Sequence, residues 1–356
     1  MLVRVIKGID QFDELKTTWN EVYSADPQAQ IFLSWSWLRG WFEVTPHEWF
    51  VLALQPDRDS PYVAFLPLAI SPVQKYGLNI FDILHMGGND FADYTGFVCP
   101  PEYEEEALYH FAQHIKERVK WEYFEMRDVL DSRMDKFLQY FYSSEEQFTV
   151  EKNTYNSCPY IPLPDSWEEY LQTFLGSKSR KNLRYALRQF EAQSQFKLVE
   201  INIDNLGSQI EALLTLWQMQ WGDKPESRLN IYRSLFQKCG ENNSLWLSVI
   251  WDGKIPIAAT GMFVDHLRKT TCGYMTGYHP DYSKFSPGRV MMAYSIQKAI
   301  ANNFKVYDFL RGDEDYKFSF FGAKQRFNYV AKITRRNMRV TGINWVRNIR
   351  DSFVSV

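Results

Sequence analysis

Apolar and polar positions alternate from the first residues of the chain. Residues 2–6 read as a strand, and residues 10–23 as a helix with Phe12, Leu15 and Trp19 on one face. A second helix is predicted over 34–44, with Trp37, Leu38 and Trp41 on its apolar side, where they read as core. Residues 49–54 and 62–70 form two strands joined by a polar turn. Residues 82–96 read as a strand running into a Gly-rich polar loop that lacks the spacing of a phosphate-binding fingerprint. Helix 101–118 follows. Glu102, Glu104, Glu105 and Glu106 sit at its start, where the helix dipole favours acids, and Leu108, Phe111 and Ile115 form its apolar stripe. A strand over 121–126 and a helix over 131–142 complete this half. Residues 145–164 are polar and then carry Pro159, Pro162 and Pro164. They read as a crossover, which divides the chain into domains 1–155 and 156–356.

The second half opens with helices over 167–175 and 178–190. Leu183, Leu187 and Phe190 form the core stripe of the latter, and Arg180, Arg184 and Arg188 form a basic stripe that is either a solvated face or a phosphate-binding one. Helix 210–221 precedes a hairpin, 246–251 and 255–264, turning at Asp252-Gly253. Strand 270–278 leads to a helix that starts at Ser286-Pro287 and buries Met292, Ile296, Ala299 and Ile300. A strand from residue 306, a last strand over 329–336 and a helical tail with Trp345 and Val346 end the reading. One weak repeat is visible: residues 123–128 (YFEMRD) echo residues 307–313 (YDFLRGD), and in both halves a hairpin and a helix come first.

Composition narrows the field. The length of 356 residues suits two domains, and a net charge of -3 gives no global attraction to nucleic acid or to an anionic membrane. Any anion site must be local. Cys99, Cys158, Cys239 and Cys272 are far apart, which excludes a C-x-x-C zinc site and reads as free thiols in a reducing compartment. The first residues carry no apolar signal region, and no apolar run is long enough to span a bilayer, so a cytoplasmic location is expected. His110 and His114 have ligand spacing on one helix, but no third ligand follows, and no metal is expected.

Two stretches carry candidate chemistry. In Ser286-Pro287-Gly288-Arg289, Ser286 is placed to cap a helix and Pro287 to start it. Gly288 bares the first turn and Arg289 adds a cation, which reads either as an anion seat or as an ordinary helix start. In residues 308–317 (DFLRGDEDYK), an apolar strand breaks into a charged turn, the place where α/β sheets bind ligands. A solvated loop with local ion pairs is the alternative. Asp308 lies within the strand and reads as structural.

Asp308, Arg311, Gly312, Tyr316 and Lys317 match a D-x-x-R-G-x-x-x-Y-K signature. It resembles that of the CelD-like/BioF2-like acetyltransferases of the GNAT superfamily, relatives of the FemAB-type peptidyltransferases. The resemblance covers nearly the whole chain and is most specific over 282–322. It implies an α/β (α+β) fold of two tandem GNAT-like domains, each a mixed, mostly antiparallel sheet flanked by helices. The first would be degenerate and on the acceptor side, the second would bind the acyl donor. It implies acyl-CoA (acetyl-CoA or longer) as co-substrate, held by Ser286, Pro287, Gly288 and Arg289. The acceptor would be an amine, such as an amino sugar of an envelope or exopolysaccharide precursor. Asp93-Tyr94 is similar to a D-Y pair in the family's acceptor loop, and Asp93 also reads as a simple turn former. Asp93 and Asp313 are the candidate bases. Lys317 and Arg311 are candidates to stabilise an oxyanion, with Tyr94, Arg311 and Tyr316 toward the acceptor. An acyl carrier protein is a conceivable donor partner. The alternatives are a FemAB-type transferase using aminoacyl-tRNA, which the basic stripe favours and the low pI opposes, and a non-catalytic polysaccharide- or partner-binding module.

Overall fold

The computed structural model describes residues 1–143 and 146–336. The tail expected to be helical around Trp345 and Val346 lies outside the described residues. Strands β1 (Leu2–Ile6), β2 (Glu48–Gln55), β3 (Ala64–Lys75), β4 (Leu78–Met86), β5 (Tyr123–Val129) and β6 (Phe148–Ser157) belong to a first sheet. β7 (Tyr160–Pro162), β8 (Phe196–Glu200), β9 (Leu245–Asp252), β10 (Ile255–Asp265), β11 (Thr270–Tyr278) and β12 (Val306–Asp308) form a second. The last described strand, β13 (Phe327–Arg335), returns to the first. The orders are β1-β2-β3-β4-β5-β13-β6 and β7-β12-β11-β10-β9-β8.

The helices of the first half are α1 (Ile9–Glu14), α2 (Lys16–Ala25), α3 (Trp35–Val44), α4 (Glu104–Arg118) and α5 (Arg133–Tyr142). Those of the second are α6 (Trp167–Phe174), α7 (Ser177–Glu191), α8 (Leu206–Trp221), α9 (Glu226–Glu241), α10 (Pro287–Ala301) and α11 (Asp315–Ser319). Local chemistry explains where they begin. The Ser34 hydroxyl accepts the Trp37 N–H to cap α3, and the Ser166 hydroxyl accepts the Glu169 N–H to cap α6. At α10 the expected cap differs. Ser286 precedes the helix in the left-handed conformation (φ 52, ψ 48) and makes no side-chain cap bond. A capping hydroxyl needs extended backbone to reach the second or third N–H, and the left-handed turn swings it away. Pro287 does occupy the first turn.

Both sheets repeat one plan. An antiparallel meander, β1–β4 or β8–β11, is followed by one helix, α4 or α10. The next strand then pairs parallel with the meander's last: β5 with β4, and β12 with β11. A parallel pair requires such a crossover. The echo between 123–128 and 307–313 therefore falls at the same point of the plan. The fold is two GNAT-like units, each a mixed, mostly antiparallel sheet flanked by helices, as the sequence led us to expect. Two details depart from the reading. The crossover segment is mostly strand β6, and residues 327–335, assigned by sequence to the 156–356 domain, pair with β5 and β6 in the first sheet. Alternation identifies a strand but not the sheet that will receive it.

The halves share a core. Helix α3 lies against α9 so closely that a Cβ on Gly40 would stand 2.9 Å from the Ser234 carbonyl oxygen and 3.0 Å from Leu235 Cα. Phe32 and Trp37 of the first half pack edge-on against Phe263 of β10. Backbone cannot retreat as a side chain can. Gly40→Val is therefore expected to lower the unfolding free energy by roughly 1–3 kcal/mol. Urea titration of this variant beside Gly207→Ala checks it, because a Cβ at Gly207 meets nothing within 4 Å and that variant should lose nothing.

Candidate active site

β11 and β12 pair only through Thr270, Thr271 and Cys272 with Val306, Tyr307 and Asp308. Beyond that point β11 runs on to Tyr278 while the chain after β12 turns away. The divergence leaves a cavity of about 470 Å³. Gly273, Tyr274 and Tyr278 of β11 form one wall. Gly288, Arg289 and Met292 of α10 form another, Trp217 and Trp221 close the side of α8, and Arg311, Tyr316 and Phe320 come from the loop after β12. The corresponding opening in the first sheet is filled by the chain itself: Thr95 bridges Val129 beside β5, and its N–H donates to the Asp128 carbonyl at 2.9 Å.

Gly288 lies at the mouth of the cavity. A Cβ there would touch the Tyr278 ring at 3.3 Å. The Arg289 and Val290 N–H groups already donate to the Ser286 carbonyl. The Arg289 guanidinium stacks 4.2 Å from the Phe320 ring centroid and is exposed.

The charged loop is built around two cations. Lys317 is 4 % exposed, and its ammonium donates to the carbonyls of Phe309, Arg311 and Gly312 at 3.4, 3.1 and 3.2 Å. Glu314 pairs with it at 2.7 Å. Gly312 stands at φ 116, a conformation open to glycine. Lys317 thus ties the turn to itself. Its donors are committed to backbone, which leaves it a poor fit to the expected oxyanion role.

Arg311 reaches the other way, into the first half. Its Nε donates to Asp93 and its Nη1 to Asp128, the latter at 2.9 Å. Burial works against the guanidinium, but the two carboxylates more than compensate and its pKa rises. Asp128, the counterpart of the loop in the repeat, accepts Asn156 and Asn328 side-chain N–H groups at 2.9 Å each. Burial pushes its carboxyl up to about 6, opposed by Arg311 and reinforced by Asp93.

A raised folded-state pKa means that the stability contributed by the protonated form is present below the ordinary carboxylate range and is lost as pH climbs through 6. Asp128→Asn carries no such loss. Between about pH 4 and about pH 7 the variant is expected to gain on the wild type by on the order of 2–3 kcal/mol. Urea unfolding at the two pH values reads this; an unchanged gap would mean that Asp128 titrates like a free carboxylate.

A second cluster lies beneath. Asp308 is fully buried, as its strand position implied. It accepts the Tyr94 hydroxyl at 3.1 Å, the Leu310 N–H at 2.8 Å and the Arg326 guanidinium. Arg326 also donates to the Tyr94 hydroxyl at 3.0 Å. Burial raises the Asp308 and Tyr94 pKa values.

The sequence candidates thus divide. Gly288, Arg289, Arg311, Tyr316 and Lys317 line the cavity. Tyr94, expected toward the acceptor, is wholly buried, because its hydroxyl is needed by Asp308. Asp93, expected as a base, is 7 % exposed and held by Arg311. Asp313 is exposed on the loop. In the basic stripe, Arg184 pairs with Glu168 at 2.6 Å and Arg180 donates to the Leu171 carbonyl. Asp128, Arg326, Asn328 and the aromatic wall of Trp217 and Trp221 were not singled out by sequence as site residues. Asp128 left a trace in the repeat, and Trp217 one in the apolar stripe of helix 210–221. Among the described residues no group of His, Cys, Asp and Glu is gathered that could hold a metal.

Comparison with known proteins agrees with this geometry. Residues 177–318, which span α7 to α11 and enclose most of the cavity, match the family model of the acetyltransferase (GNAT) domain. The chain carries a GNAT-type acetyltransferase domain. Among solved structures, FemX is similar over 93 % of this chain and 97 % of its own, at 12 % identity and a TM-score of 0.62. L-PGS from Bacillus licheniformis is similar over 95 % of both chains, at 10 % identity and a TM-score of 0.58. A tandem GNAT protein from the clavulanic acid biosynthesis pathway covers 94 % of this chain and 99 % of its own, at 9 % identity and a TM-score of 0.50. At such identities the likeness concerns fold, and it extends the tandem GNAT arrangement to nearly the whole chain. These findings agree with the GNAT and FemAB-type resemblance seen in the sequence. No curated protein matches the chain. Within the GNAT domain, the diverging strands β11 and β12 and the α10 start are the features that face the cavity.

Proposed function

We propose that the protein is an N-acyltransferase that moves an acyl group from acyl-CoA to an amine, the acceptor being an amino sugar of an envelope or exopolysaccharide precursor. The observation that carries this reading is the cavity where β11 and β12 part, beside the bare first turn of α10. An extended thioester donor fits between diverging strands, and its phosphates fit a helix start with Gly288 and Arg289. Ser286 and Pro287 shape that start. The amine nitrogen attacks the thioester carbonyl, the N–C bond forms, the C–S bond breaks, and the thiol leaves with a proton. Arg311, fixed by two carboxylates and lining the cavity, is the group we assign to the developing oxyanion or to an anionic acceptor. Asp313 is the exposed carboxylate assigned to take the amine proton, directly or through water. Asp93 and Tyr94 act by holding Arg311 and Asp308 in place, and Lys317 by holding the loop. Trp217, Trp221 and Tyr316 offer flat apolar faces to a sugar ring.

Thiol release from acetyl-CoA tests the reaction. Glucosamine-bearing acceptors are expected to accelerate it, and the same acceptors with the amine already acetylated are expected not to. Release that ignores the amine would refute N-acyl transfer.

A further inference from the structure

The strands β3 and β4 outrun their sheet. β3 pairs with β2 only as far as Ile70, and β4 pairs with β5 only from Ile83. Residues 71–82 therefore pair only with each other, as a two-stranded ribbon. It turns at Tyr76 and Gly77, both in the left-handed region (φ 53 and 76), a tight hairpin turn. Its tip is apolar and bare: Tyr76 is 93 % exposed, Leu78 69 % and Ile80 54 %. Solvated hairpin tips are ordinarily polar, so three large apolar side chains there call for a partner.

The surroundings indicate which partner. The Lys75 ammonium lies 5.3 Å from the Tyr76 ring centroid. Lys120, 81 % exposed, stands at the ribbon's base beside Asp82. Glu122 joins that base to the end of β13: it binds the Asp82 N–H through its carboxylate and the Arg335 N–H through its carbonyl. Lys7, Arg118 and Lys120 line one groove together with Pro72 and Asn79 of the ribbon. A protein of net charge -3 thus places lysines beside this bare apolar tip. The tip is convex, and Pro72 offers no N–H to an added strand. Such a tip buries its side chains in a surface that parts to admit it. Aliphatic residues, a tyrosine and flanking lysines suit the boundary between lipid headgroups and acyl chains.

We propose that the β3–β4 ribbon docks the protein on an anionic lipid bilayer, its tip entering the headgroup region and the neighbouring cations facing the lipid phosphates. The contact is peripheral, since among the described residues no helix is long and apolar enough to cross a membrane. The other end of β4, Met86, lies on the order of 25 Å from Leu78 and leads to the loop of Asp93, whose partner Arg311 lines the cavity. The proposal does not depend on the acyl-transfer reading.

Co-sedimentation with phosphatidylcholine vesicles, with and without about one third phosphatidylglycerol, tests it. Binding is expected to the anionic vesicles and to weaken with salt. The triple variant Tyr76→Ser, Leu78→Ser, Ile80→Ser, with Gly77 kept, should partition at least about tenfold less at unchanged thermal stability. Tyr76→Cys bearing an environment-sensitive dye adds a local readout, because the four native cysteines are buried. Its emission should rise on adding vesicles. Equal binding by the triple variant, or no binding to either vesicle, would overturn the proposal. So would a dye response to protein concentration alone, which would assign the tip to a second copy of the chain.

Discussion

Arg311→Met is expected to lower kcat/KM by at least about a hundredfold and to cost the fold roughly 3–5 kcal/mol. The guanidinium spans the halves, donating to Asp93 and Asp128. Methionine fills the same channel with no charge. Two carboxylates, 7 % and 3 % exposed, would then face each other without a cation. Breaking a buried pair costs more than never having built it, because the abandoned charge cannot return to water. Asp128, already pushed up to about 6, would rise further and hold its proton near neutral pH. Arg311→Lys separates the two effects. It restores one charge but cannot fork to two carboxylates, so stability should recover in part while turnover stays low. Steady-state kinetics below the unfolding transition, with donor KM recorded, checks this. A Met variant with unchanged turnover would remove Arg311 from the chemistry and leave it a structural tie.

Gly288→Trp is expected to abolish donor binding, a loss of at least about a hundredfold in affinity, with little change in stability. The backbone at Gly288 is not in the left-handed region, so a side chain is not excluded by conformation. Within a helix almost any residue is also preferred to glycine, and Gly288 is the second residue of α10. What stands in the way is the Tyr278 ring at 3.3 Å from the new Cβ. An indole must therefore lie along the cavity mouth, across the path between β11 and the start of α10. Affinity lost with the fold retained would separate a blocked site from a damaged protein. Circular dichroism melting beside titration distinguishes the two.

Much of the fold was legible because burial writes a period into the sequence. Phe12 and Trp19 fall in α1 and α2 with Leu15 at the junction between them, Leu108, Phe111 and Ile115 fall in α4, and each of these residues is buried. Strand β6 was read as a crossover because it lies at the edge of its sheet, with burial alternating along a mostly polar run. Helix α9 carries a readable stripe, Leu229, Tyr232, Leu235, Phe236 and Cys239, opened by Pro225, yet it has no counterpart in the sequence reading.

The charged loop was legible as a special place, but not the direction of each side chain. Asp93, Arg311 and Lys317 look equally available in the sequence. In the fold Lys317 turns inward to three carbonyls and Arg311 crosses to the other half. Contacts such as Arg311 with Asp128, or Arg326 with Asp308 and Tyr94, join residues far apart in the chain, and no local pattern encodes them.

The most direct test of an acyl-CoA donor site between β11 and β12 is calorimetric titration of the protein with acetyl-CoA and a series of longer acyl-CoAs. Micromolar affinity with one site per chain is expected, lost in Gly288→Trp. The tightest member of the series would set the acyl length. Binding to none of them would contradict the donor site and turn the search to acyl carrier protein or aminoacyl-tRNA.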